Sequence, residues 1–548
     1  MLNWIDQRLP LRFLAFFVIV LLWVLSALQL VVGQASFLWV LLLSALVIVG
    51  ISDLQQSKHA ILRNYPIIGH LRFLLEFIRP ELRQYFIEGD SEAVPFSRAQ
   101  RSLVYARAKG ESDKRPFGTQ LDVREVGYEW LTHSISPSVI PSHDFRVHVG
   151  GPQCKHPYDI SLFNVSAMSF GALSANAIMA LNLGAKKGGF AHDTGEGSIS
   201  RYHREHGGDL IWEIGSGYFG CRNEDGTFSA ERFVQNALSP QVKMIEIKLS
   251  QGAKPGHGGV LPGPKVTPEI AEARGVPVGV DCVSPAAHSS FSSPVELLQF
   301  VQKLRELSEG KPVGFKLCIG HPWEWFGIAK AMQKTGIYPD FIVVDGSEGG
   351  TGAAPVEFTD HMGMPMLEGL RLVHNTLVGL KLRKQIRLGA SGKIISGFDV
   401  MRTLALGADW CNSARGFMFA LGCIQAQTCH TGNCPTGVTT QDPKRQVALV
   451  VPSKADRVRN FHRQTLESVQ EMLQATGLSA PSELRLNHIM RRVSEHEVQN
   501  LSDLILSVKG GALLEPHDLE GLFAKYWQAA SPDSFQLTTR TKPSLAGP

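Results

Sequence analysis

The sequence predicts an α/β protein: a (β/α)8 TIM barrel with an N-terminal transmembrane helical hairpin and a helical C-terminal extension. Eight short apolar runs alternate with helical patterns over residues 158–420, which is the element order of such a barrel. Residues 13–52 contain no charged side chain, and a group of closely spaced cysteines follows the last β/α unit. A doubly wound open sheet is the main alternative to the barrel.

Four segments follow from this pattern: a hairpin over 1–53, a connector over 54–150, the barrel over 151–445 and the extension over 446–548. The net charge of +4 is too small to predict nucleic acid as a partner. The cysteines outside the closely spaced group show no pairing pattern, as expected of reduced thiols in the cytoplasm.

The uncharged run 13–52 is long enough for two bilayer crossings, because one crossing takes roughly 20 residues. Gly33 lies near its middle and predicts a turn between two helices. Arg12 precedes the run and Lys58 follows it, so the positive-inside rule places both flanks, and the barrel after them, on the cytoplasmic side of the inner membrane. A signal peptide would be shorter and would lack the second apolar stretch. A buried pair of soluble helices is the other alternative.

The barrel strands are predicted from short apolar runs bounded by turn residues. They are expected at 160–167, 190–193, 210–215, 242–249, 313–319, 341–345, 386–390 and 410–413. Helical spacing predicts helices between most of them, at 174–187, 230–238, 294–309, 323–335, 367–382 and 397–406. Outside the barrel it predicts helices at 67–88, 455–473 and 483–493, with irregular structure over the rest of the connector.

Strand 313–319 contains the first candidate catalytic residue. Alternation along a strand places Lys316 on the face that points into the barrel, together with Gly314 and Cys318. A buried lysine is costly unless it has a partner, and Lys316 lies near the C-terminal end of its strand, where barrel active sites form. The alternative is a structural ion pair inside the barrel, for example with Glu246.

The loops that follow the strands carry further candidates, because a barrel forms its active site at the C-terminal ends of its strands. Gln251 and Lys254 lie in a glycine-rich loop after strand four. The loops after strands seven and eight combine small residues with a cation, as phosphate sites of barrels commonly do, and contain Ser391, Gly392, Ala414, Arg415 and Gly416. Ordinary surface loops are the alternative. A flavin with a phosphate group would unite these loops with Lys316 and the cysteines.

Cys423, Cys429 and Cys434 form a C-x5-C-x4-C array within one glycine-containing loop. Thiolates are the ligands that soft metals and iron–sulfur clusters select. Three ligands favour a three-cornered iron–sulfur cluster. A zinc site with His430 as a fourth ligand and a set of ordinary buried thiols are the alternatives.

Several motifs resemble the FMN-binding synthase domain of the glutamate synthases, and the whole chain looks most like their membrane-anchored relatives. The matching stretches are 166–174, 194–198, 216–220, 247–268, 315–317, 345–355 and 422–442. The resemblance implies FMN in a (β/α)8 barrel beside a [3Fe-4S] cluster. It also implies reduction of an imine formed from 2-oxoglutarate and ammonia to an amino acid.

The same resemblance implies roles for individual residues. Lys316 would lie against the flavin and support its reduced, anionic form, with Gln251 and Lys254 as further catalytic candidates. Cys423, Cys429 and Cys434 would ligate the cluster. The flavin would be held by Ala167, Met168, Ser169, Gln251, Lys316, Gly349, Gly350, Thr351, Ser391, Gly392, Ala414, Arg415 and Gly416.

Two departures from the family pattern bear on the substrate. His257 and Ser290 stand where acidic residues are expected, so a related oxo acid competes with 2-oxoglutarate as the substrate. No amidotransferase domain is expected before the barrel, so ammonia would come free or from a partner. No nucleotide-binding domain is recognisable, so a reductase subunit or a ferredoxin would donate the electrons. A membrane-docked electron-transfer or redox-sensing protein is the alternative function, and a flavin barrel without net redox chemistry is a third.

Overall fold

The computed structural model describes residues 11–90, 92, 95–352 and 354–537. The chain divides into two compact units, Met1–Glu92 and Ala93–Pro548. The first unit contains the apolar N-terminal helices, and the second contains the barrel and the segments packed on it.

Two apolar helices, Leu14–Val31 and Phe37–Gln55, dominate the first unit. Gly33 turns the chain between them with a φ of +75°. The helices pack against each other, and the indole N–H of Trp23 donates a hydrogen bond of 2.7 Å to Ser44 Oγ. Their mean hydropathies of 2.7 and 2.4 make both long and apolar enough to cross a bilayer, a property of length and composition only.

The rest of the first unit is helical. A short helix, Ala60–Asn64, leads into Gly69–Leu82, which continues as a π-helical turn over Arg83–Ile87. The predicted helix at 67–88 is therefore confirmed.

Eight parallel strands close into a barrel in the second unit, each hydrogen-bonded to the next along the chain and the eighth to the first. They are β1 Phe163–Val165, β2 His192–Asp193, β3 Leu210–Ile214, β4 Val242–Lys248, β5 Val313–Leu317, β6 Phe341–Asp345, β7 Arg387–Ser391 and β8 Trp410–Ser413. All eight coincide with predicted strands. Closure of the sheet rules out the open-sheet alternative.

Helices surround the barrel and pack on one another outside it. In the second unit they are Arg98–Lys109, Ala175–Gly188, Arg201–Arg204, Ala230–Ala237, Pro268–Arg274, Pro294–Leu307, Pro322–Thr335, Val356–His361, Met366–Gly379, Gly397–Ala405, Arg415–Leu421, Pro443–Gln446, Val451–Thr476, Leu501–Leu504 and Gly521–Tyr526. The longest, Val451–Thr476, packs chiefly on Ala175–Gly188 and Arg98–Lys109. The six helices predicted between the strands and the one at 455–473 are confirmed.

The barrel interior is apolar at one end and charged at the other. Ile211, Met244, Phe341 and Trp410 pack together inside it. An antiparallel pair, Arg146–Val149 with Tyr158–Ser161, adds Val149 and Ile160 to this cluster and covers the N-terminal end of the barrel. Two residues further along β3 and β4, the same inward face carries Glu213 and Glu246. Charged side chains are therefore confined to the end where the strands' C-termini lie.

The predicted helix at 483–493 is wrong. Ile489–Arg492 is instead the central strand of a three-stranded antiparallel sheet, between Glu129–Leu131 and Val498–Asn500. Pairing with a strand more than 350 residues earlier in the chain overrides the local helical spacing.

The expectation of irregular structure over the rest of the connector holds for most of its described residues, but it is wrong for the helix Arg98–Lys109 and for the short strands Glu129–Leu131 and Arg146–Val149. Ser97 and Gln100 form a capping box at the start of the helix, in which Ser97 Oγ accepts a hydrogen bond of 3.2 Å from Gln100 N. The spacing Ser-x-x-Gln is visible in the sequence and is the signal that could have located this helix.

Candidate active site

Lys316 points into the barrel, as strand alternation predicts, and lies among carboxylates. Its Nζ contacts the carboxylate of Glu213 on β3 and lies 3.3 Å from Oε1 of Glu246 on β4. Asp193 on β2 completes the group, since one oxygen from each of the three carboxylates lies within 4.8 Å of the others. The ion pair with Glu246 that formed the structural alternative is therefore present. We call these four side chains the charged layer.

Burial and mutual repulsion control the protonation of the charged layer. Burial raises the pKa of Asp193 to about 7 and, with the neighbouring carboxylates, holds that of Glu246 well above its usual range. Burial on its own would lower the pKa of Lys316, but attraction to Glu213 and Glu246 outweighs it and raises that pKa. Lys316 therefore stays an ammonium at neutral pH and takes the position that a metal cation would need among the carboxylates.

The raised pKa of Asp193 predicts that stability falls as the pH rises. Asp193 keeps its proton up to about pH 7 in the folded chain but loses it near pH 3.8 in the unfolded chain. The contribution of Asp193 to the free energy of unfolding is therefore greatest below pH 3.8 and decreases as the pH rises to about 7. Asp193→Asn should remove this part of the slope, which is at most about 1.4 kcal/mol per pH unit. Unfolding in urea across this pH window measures it. Asp456→Asn, at an exposed ion pair, is the matched control and should keep the wild-type slope.

A second set of charges lies at the mouth of the barrel, beyond the charged layer. Lys248, the last residue of β4, lies 3.1 Å from Glu196 in the loop after β2. Lys254 is buried close to this pair, and burial lowers its pKa. Arg274 also acts on Glu196: burial would raise the pKa of Glu196, but the surrounding cations outweigh it and lower that pKa. Cations outnumber carboxylates here, which suits an anionic ligand.

Sequence reasoning missed Lys248, Glu196 and Arg274. Lys248 follows Glu246 on the same inward face of β4, so strand alternation could have found it. Glu196 lies in a loop and Arg274 on the helix Pro268–Arg274, and no local pattern relates them to Lys248.

The loops after β1 and β2 pack closely at the same end of the barrel. Ala167, Met168 and Ser169 directly follow β1, and Met168 is buried. A Cβ atom added at Gly195 would lie 2.6 Å from Ser169 N and 3.1 Å from Met168 N. The close approach leaves no room for a side chain and fixes the course of the predicted ring-binding segment.

The loops after β4 and β6 also touch each other. Gly252 N, next to Gln251, donates a hydrogen bond of 2.7 Å to Asp345 Oδ2. A Cβ atom at Gly252 would overlap the carbonyl oxygen of Gly346. Gln251 is thereby held at the barrel mouth above β4, at the same end as Lys316.

The predicted phosphate-binding residues come together from the loops after β6, β7 and β8. Arg415 donates a hydrogen bond of 2.6 Å to the carbonyl oxygen of Gly350. A Cβ atom at Gly350 would lie 3.5 Å from Arg415 Nη2, so the guanidinium lies in ordinary contact distance of this glycine. Ser391 Oγ donates to Asp345 Oδ1. A Cβ atom at Gly392 would lie 2.8 Å from that of Met366. A cation next to small residues fits a phosphate group.

The remaining predicted flavin-binding residues lie next to Gly350 and Arg415 in the chain. Gly349 and Thr351 flank Gly350 in the loop after β6, and Thr351 is exposed. Ala414 and Gly416 flank Arg415 at the start of the helix Arg415–Leu421.

The three cysteines of the array all carry free thiols in the loop that follows Arg415–Leu421. Gln425 and Gln427 have φ values of +60° and +56°, so the loop bends sharply between Cys423 and Cys429. Cys423 Sγ accepts a hydrogen bond of 3.5 Å from Gln425 N, and Cys434 Sγ lies 3.5 Å from the hydroxyl of Thr436.

The cysteines differ in acidity. Burial raises the pKa of Cys423 to about 11, with Cys429 and Cys434 close enough to add to the effect. Burial would also raise the pKa of Cys434, but hydrogen bonds from Thr436 and Thr439 outweigh it and lower the pKa to about 7. Because metal ligation requires the thiolate, Cys434 is a more favourable ligand than Cys423 at neutral pH.

The cysteine array does not form a compact zinc site in the described part of the chain. Zinc–sulfur bonds of about 2.3 Å in a tetrahedron bring the ligand atoms to within about 3.8 Å of one another. Within the described ranges, only Asp193, Glu213 and Glu246 bring three such ligand atoms within 4.8 Å.

The cysteine loop contacts the loops that surround the barrel mouth. Lys265, from the long loop after β4, donates a hydrogen bond of 2.9 Å to the carbonyl oxygen of Cys429. A Cβ atom at Gly352, in the loop after β6, would lie 3.2 Å from Cys429 Cβ. The hydroxyl of Tyr105, on the helix Arg98–Lys109, donates a hydrogen bond of 2.6 Å to the carbonyl oxygen of Cys423. The array is thus held directly beside the mouth.

Comparison with known proteins bears on the second unit. A family model described as a conserved region in glutamate synthase matches residues 148–479. The glutamate synthase large subunit-like protein YerD of Bacillus subtilis is 39% identical over 495 residues, covering 83% of this chain and 94% of that protein. The archaeal-type glutamate synthase [NADPH] of Thermotoga maritima is 38% identical over 336 residues, and the match spans 61% of this chain and 63% of that enzyme. Among solved structures, a flavocytochrome b2 mutant with pyruvate bound aligns over 87% of this chain and 96% of its own. The TM-score of 0.40 and the identity of 12% make this a distant likeness.

Proposed function

Since the chain is an oxidoreductase that belongs to the glutamate synthase family, we propose that it is a membrane-anchored FMN and iron–sulfur enzyme. It reduces an imine, formed from 2-oxoglutarate or a related oxo acid and ammonia, to an amino acid. The observation that carries this proposal is the contact between the cysteine loop and the barrel mouth, through Lys265 and Gly352. Bound FMN would supply the reducing electron pair and a [3Fe-4S] cluster would relay single electrons.

The chain's own residues support binding of an anionic substrate. Lys248, Lys254 and Arg274 surround one carboxylate, Glu196, at the mouth, so the site favours the carboxylate groups of an oxo acid. His257 and Ser290 stand where acidic residues are expected, so these two positions contribute no carboxylate that would repel an anionic substrate. Several oxo acids are therefore compared as substrates below.

One residue of the site suits proton delivery and another suits stabilisation of charge. Reduction of an imine carbon by an electron pair and a proton must be completed by a second proton on nitrogen, and Lys254, whose pKa burial lowers, suits its delivery. Lys316 keeps a fixed positive charge in the charged layer, which would favour negative charge on a bound flavin. Gln251 would orient the reacting group by hydrogen bonding.

Arg415→Met should weaken FMN binding by about 10- to 100-fold, because a hydrogen bond to a charged group contributes roughly 1.5–3 kcal/mol. The phosphate would lie beside the Arg415 guanidinium, next to Gly350. Fluorescence quenching of free FMN by the deflavinated protein gives the affinity. Arg463→Met, at an exposed ion pair on the helix Val451–Thr476, should bind FMN as tightly as the wild type. Equal affinities in the two variants would remove Arg415 from the phosphate site.

Substrate-dependent reoxidation tests the proposed activity. The detergent-purified protein is reduced anaerobically, and the flavin absorbance is followed after addition of 2-oxoglutarate and ammonium together. Rapid reoxidation that requires both compounds, with formation of glutamate, is the expected result; other oxo acids are compared in the same assay. If only artificial acceptors reoxidise the flavin, the enzyme proposal fails and an electron-transfer or redox-sensing role replaces it.

The two apolar helices support a location at the inner membrane with the second unit on the cytoplasmic side. Arg12 before them and Lys58 after them would lie on the same side of a helical hairpin. The electron donor would then be a cytoplasmic reductase subunit or ferredoxin. Resistance of the full chain to alkaline extraction from membranes is expected, and release into the supernatant would contradict the hairpin.

A further inference from the structure

The helix Gly69–Leu82 carries a broad apolar face that is exposed within its own unit. Leu71, Leu74 and Leu75 are each more than half exposed. Leu71, Leu74, Leu75, Ile78 and Leu82 follow the spacing i, i+3, i+4, i+7, i+11, which places them along one side of the helix.

The adjacent side of the same helix is charged. Arg72, Glu76 and Arg79 repeat at i, i+4, i+7, and Arg83 continues this row in the π-helical turn that follows. Arg72 and Glu76 form an exposed ion pair with Nε and Oε1 3.0 Å apart. The separation of apolar and charged sides is the pattern of a helix that lies in an interface between water and an apolar medium.

The start of this helix is fixed to the end of the second apolar helix. Asp53, in the last turn of Phe37–Gln55, accepts a hydrogen bond of 2.9 Å from Ile67 N, and its Oδ1 lies 2.9 Å from His70 Nε2. The side chain of Asp53 is only 6% exposed, so these contacts enclose it. Nineteen residues of α-helix extend about 28 Å, close to the thickness of the hydrocarbon layer. In a spanning hairpin, Asp53 therefore lies at the bilayer surface and holds the start of Gly69–Leu82 at that depth.

We propose that Gly69–Leu82 lies along the membrane surface with its apolar face in the lipid interface. This inference rests on the proposed hairpin, from which the helix continues without a domain boundary. The charged side carries both signs, so burial of apolar surface drives the contact and anionic lipid is not required. The exposed Phe86 and Ile87, in the turn Arg83–Ile87, extend the apolar surface at the C-terminal end.

Photo-crosslinking in a neutral bilayer tests the contact directly. The full chain is reconstituted into phosphatidylcholine nanodiscs with p-benzoylphenylalanine in place of Leu74 or, as the matched control, in place of Glu76. Several-fold more lipid adduct is expected from position 74 than from position 76. Equal lipid adduct at both positions, crosslinks from position 74 to a second copy or to the second unit, or a requirement for anionic lipid would overturn the proposal.

A pair of charge substitutions separates failure of this helix contact from failure of the hairpin. Leu75→Glu should speed hydrogen exchange of the peptide covering residues 69–82 several-fold in nanodiscs, while the chain stays resistant to alkaline extraction. Arg79→Glu, which places the same side chain on the charged side, should leave that exchange unchanged. Unchanged exchange in Leu75→Glu overturns the surface helix. Alkaline extraction of the unsubstituted chain would instead remove the hairpin on which the inference rests.

Discussion

Lys316→Met is expected to abolish most turnover and to destabilise the second unit at the same time. The substitution leaves Asp193, Glu213 and Glu246 buried without their cation, and breaking a buried ion pair costs about 3–5 kcal/mol. Loss of a fixed positive charge beside the reacting group should lower turnover by at least about 100-fold. Thermal unfolding, bound flavin and the reoxidation rate per flavin are measured on the same preparation.

A second substitution separates the catalytic role of Lys316 from its structural one. Glu213→Gln in the Lys316→Met background removes the carboxylate that contacts Lys316 directly and should recover part of the lost stability. Turnover per bound flavin should stay low if Lys316 acts on the reaction. Recovery of turnover together with stability would show that the lysine is only a partner for the carboxylates.

Lys311 provides the matched control on the same segment of chain. It directly precedes β5 at the N-terminal end of the barrel, and its Nζ donates to the carbonyl oxygens of Ala237, Ser239 and Val242. Lys311→Met should lower stability, because three partly buried carbonyl groups lose their donor, but should leave turnover per bound flavin near the wild-type value.

Cys434→Ser is expected to remove the iron–sulfur cluster and leave the flavin in place. About three irons per flavin are expected in the unsubstituted chain, since three thiolates suit a three-iron cluster. The pKa of Cys434 is lowered to about 7, so its loss removes a ligand that ionises readily at neutral pH. Iron, sulfide and FMN assays with an anaerobic absorbance spectrum give the stoichiometry, and electron paramagnetic resonance identifies the cluster type.

Loss of the cluster should block one route of flavin reduction and leave the other unchanged. Dithionite should still reduce the flavin of Cys434→Ser, whereas reduction by a protein donor should be lost. Cys154→Ser, outside the array and partly exposed, is the matched control and should retain iron and both reactions. Full iron content in Cys434→Ser, or zinc in place of iron in the unsubstituted chain, would contradict the proposed electron relay.

Local patterns in the sequence were sufficient to predict the barrel and the identity of its main candidate residues. Each barrel strand is a short apolar run, and the predicted helices between the strands have apolar residues at helical spacing. The order of these elements can therefore be predicted without knowledge of their contacts. Alternation within β5 predicted that Lys316 points inward. Spacing along one loop identified Cys423, Cys429 and Cys434 as a set.

Contacts between distant parts of the chain could not be predicted in the same way. Glu213 meets Lys316 from a strand 103 residues earlier, and Tyr105 reaches the Cys423 carbonyl across 318 residues. Ile489–Arg492 forms a strand because Glu129–Leu131 lies beside it, despite its helical spacing. Periodicity records which face of an element is apolar, whereas partners, shared protons and loop contacts arise from closure of the barrel, which brings the ends of separate strands together.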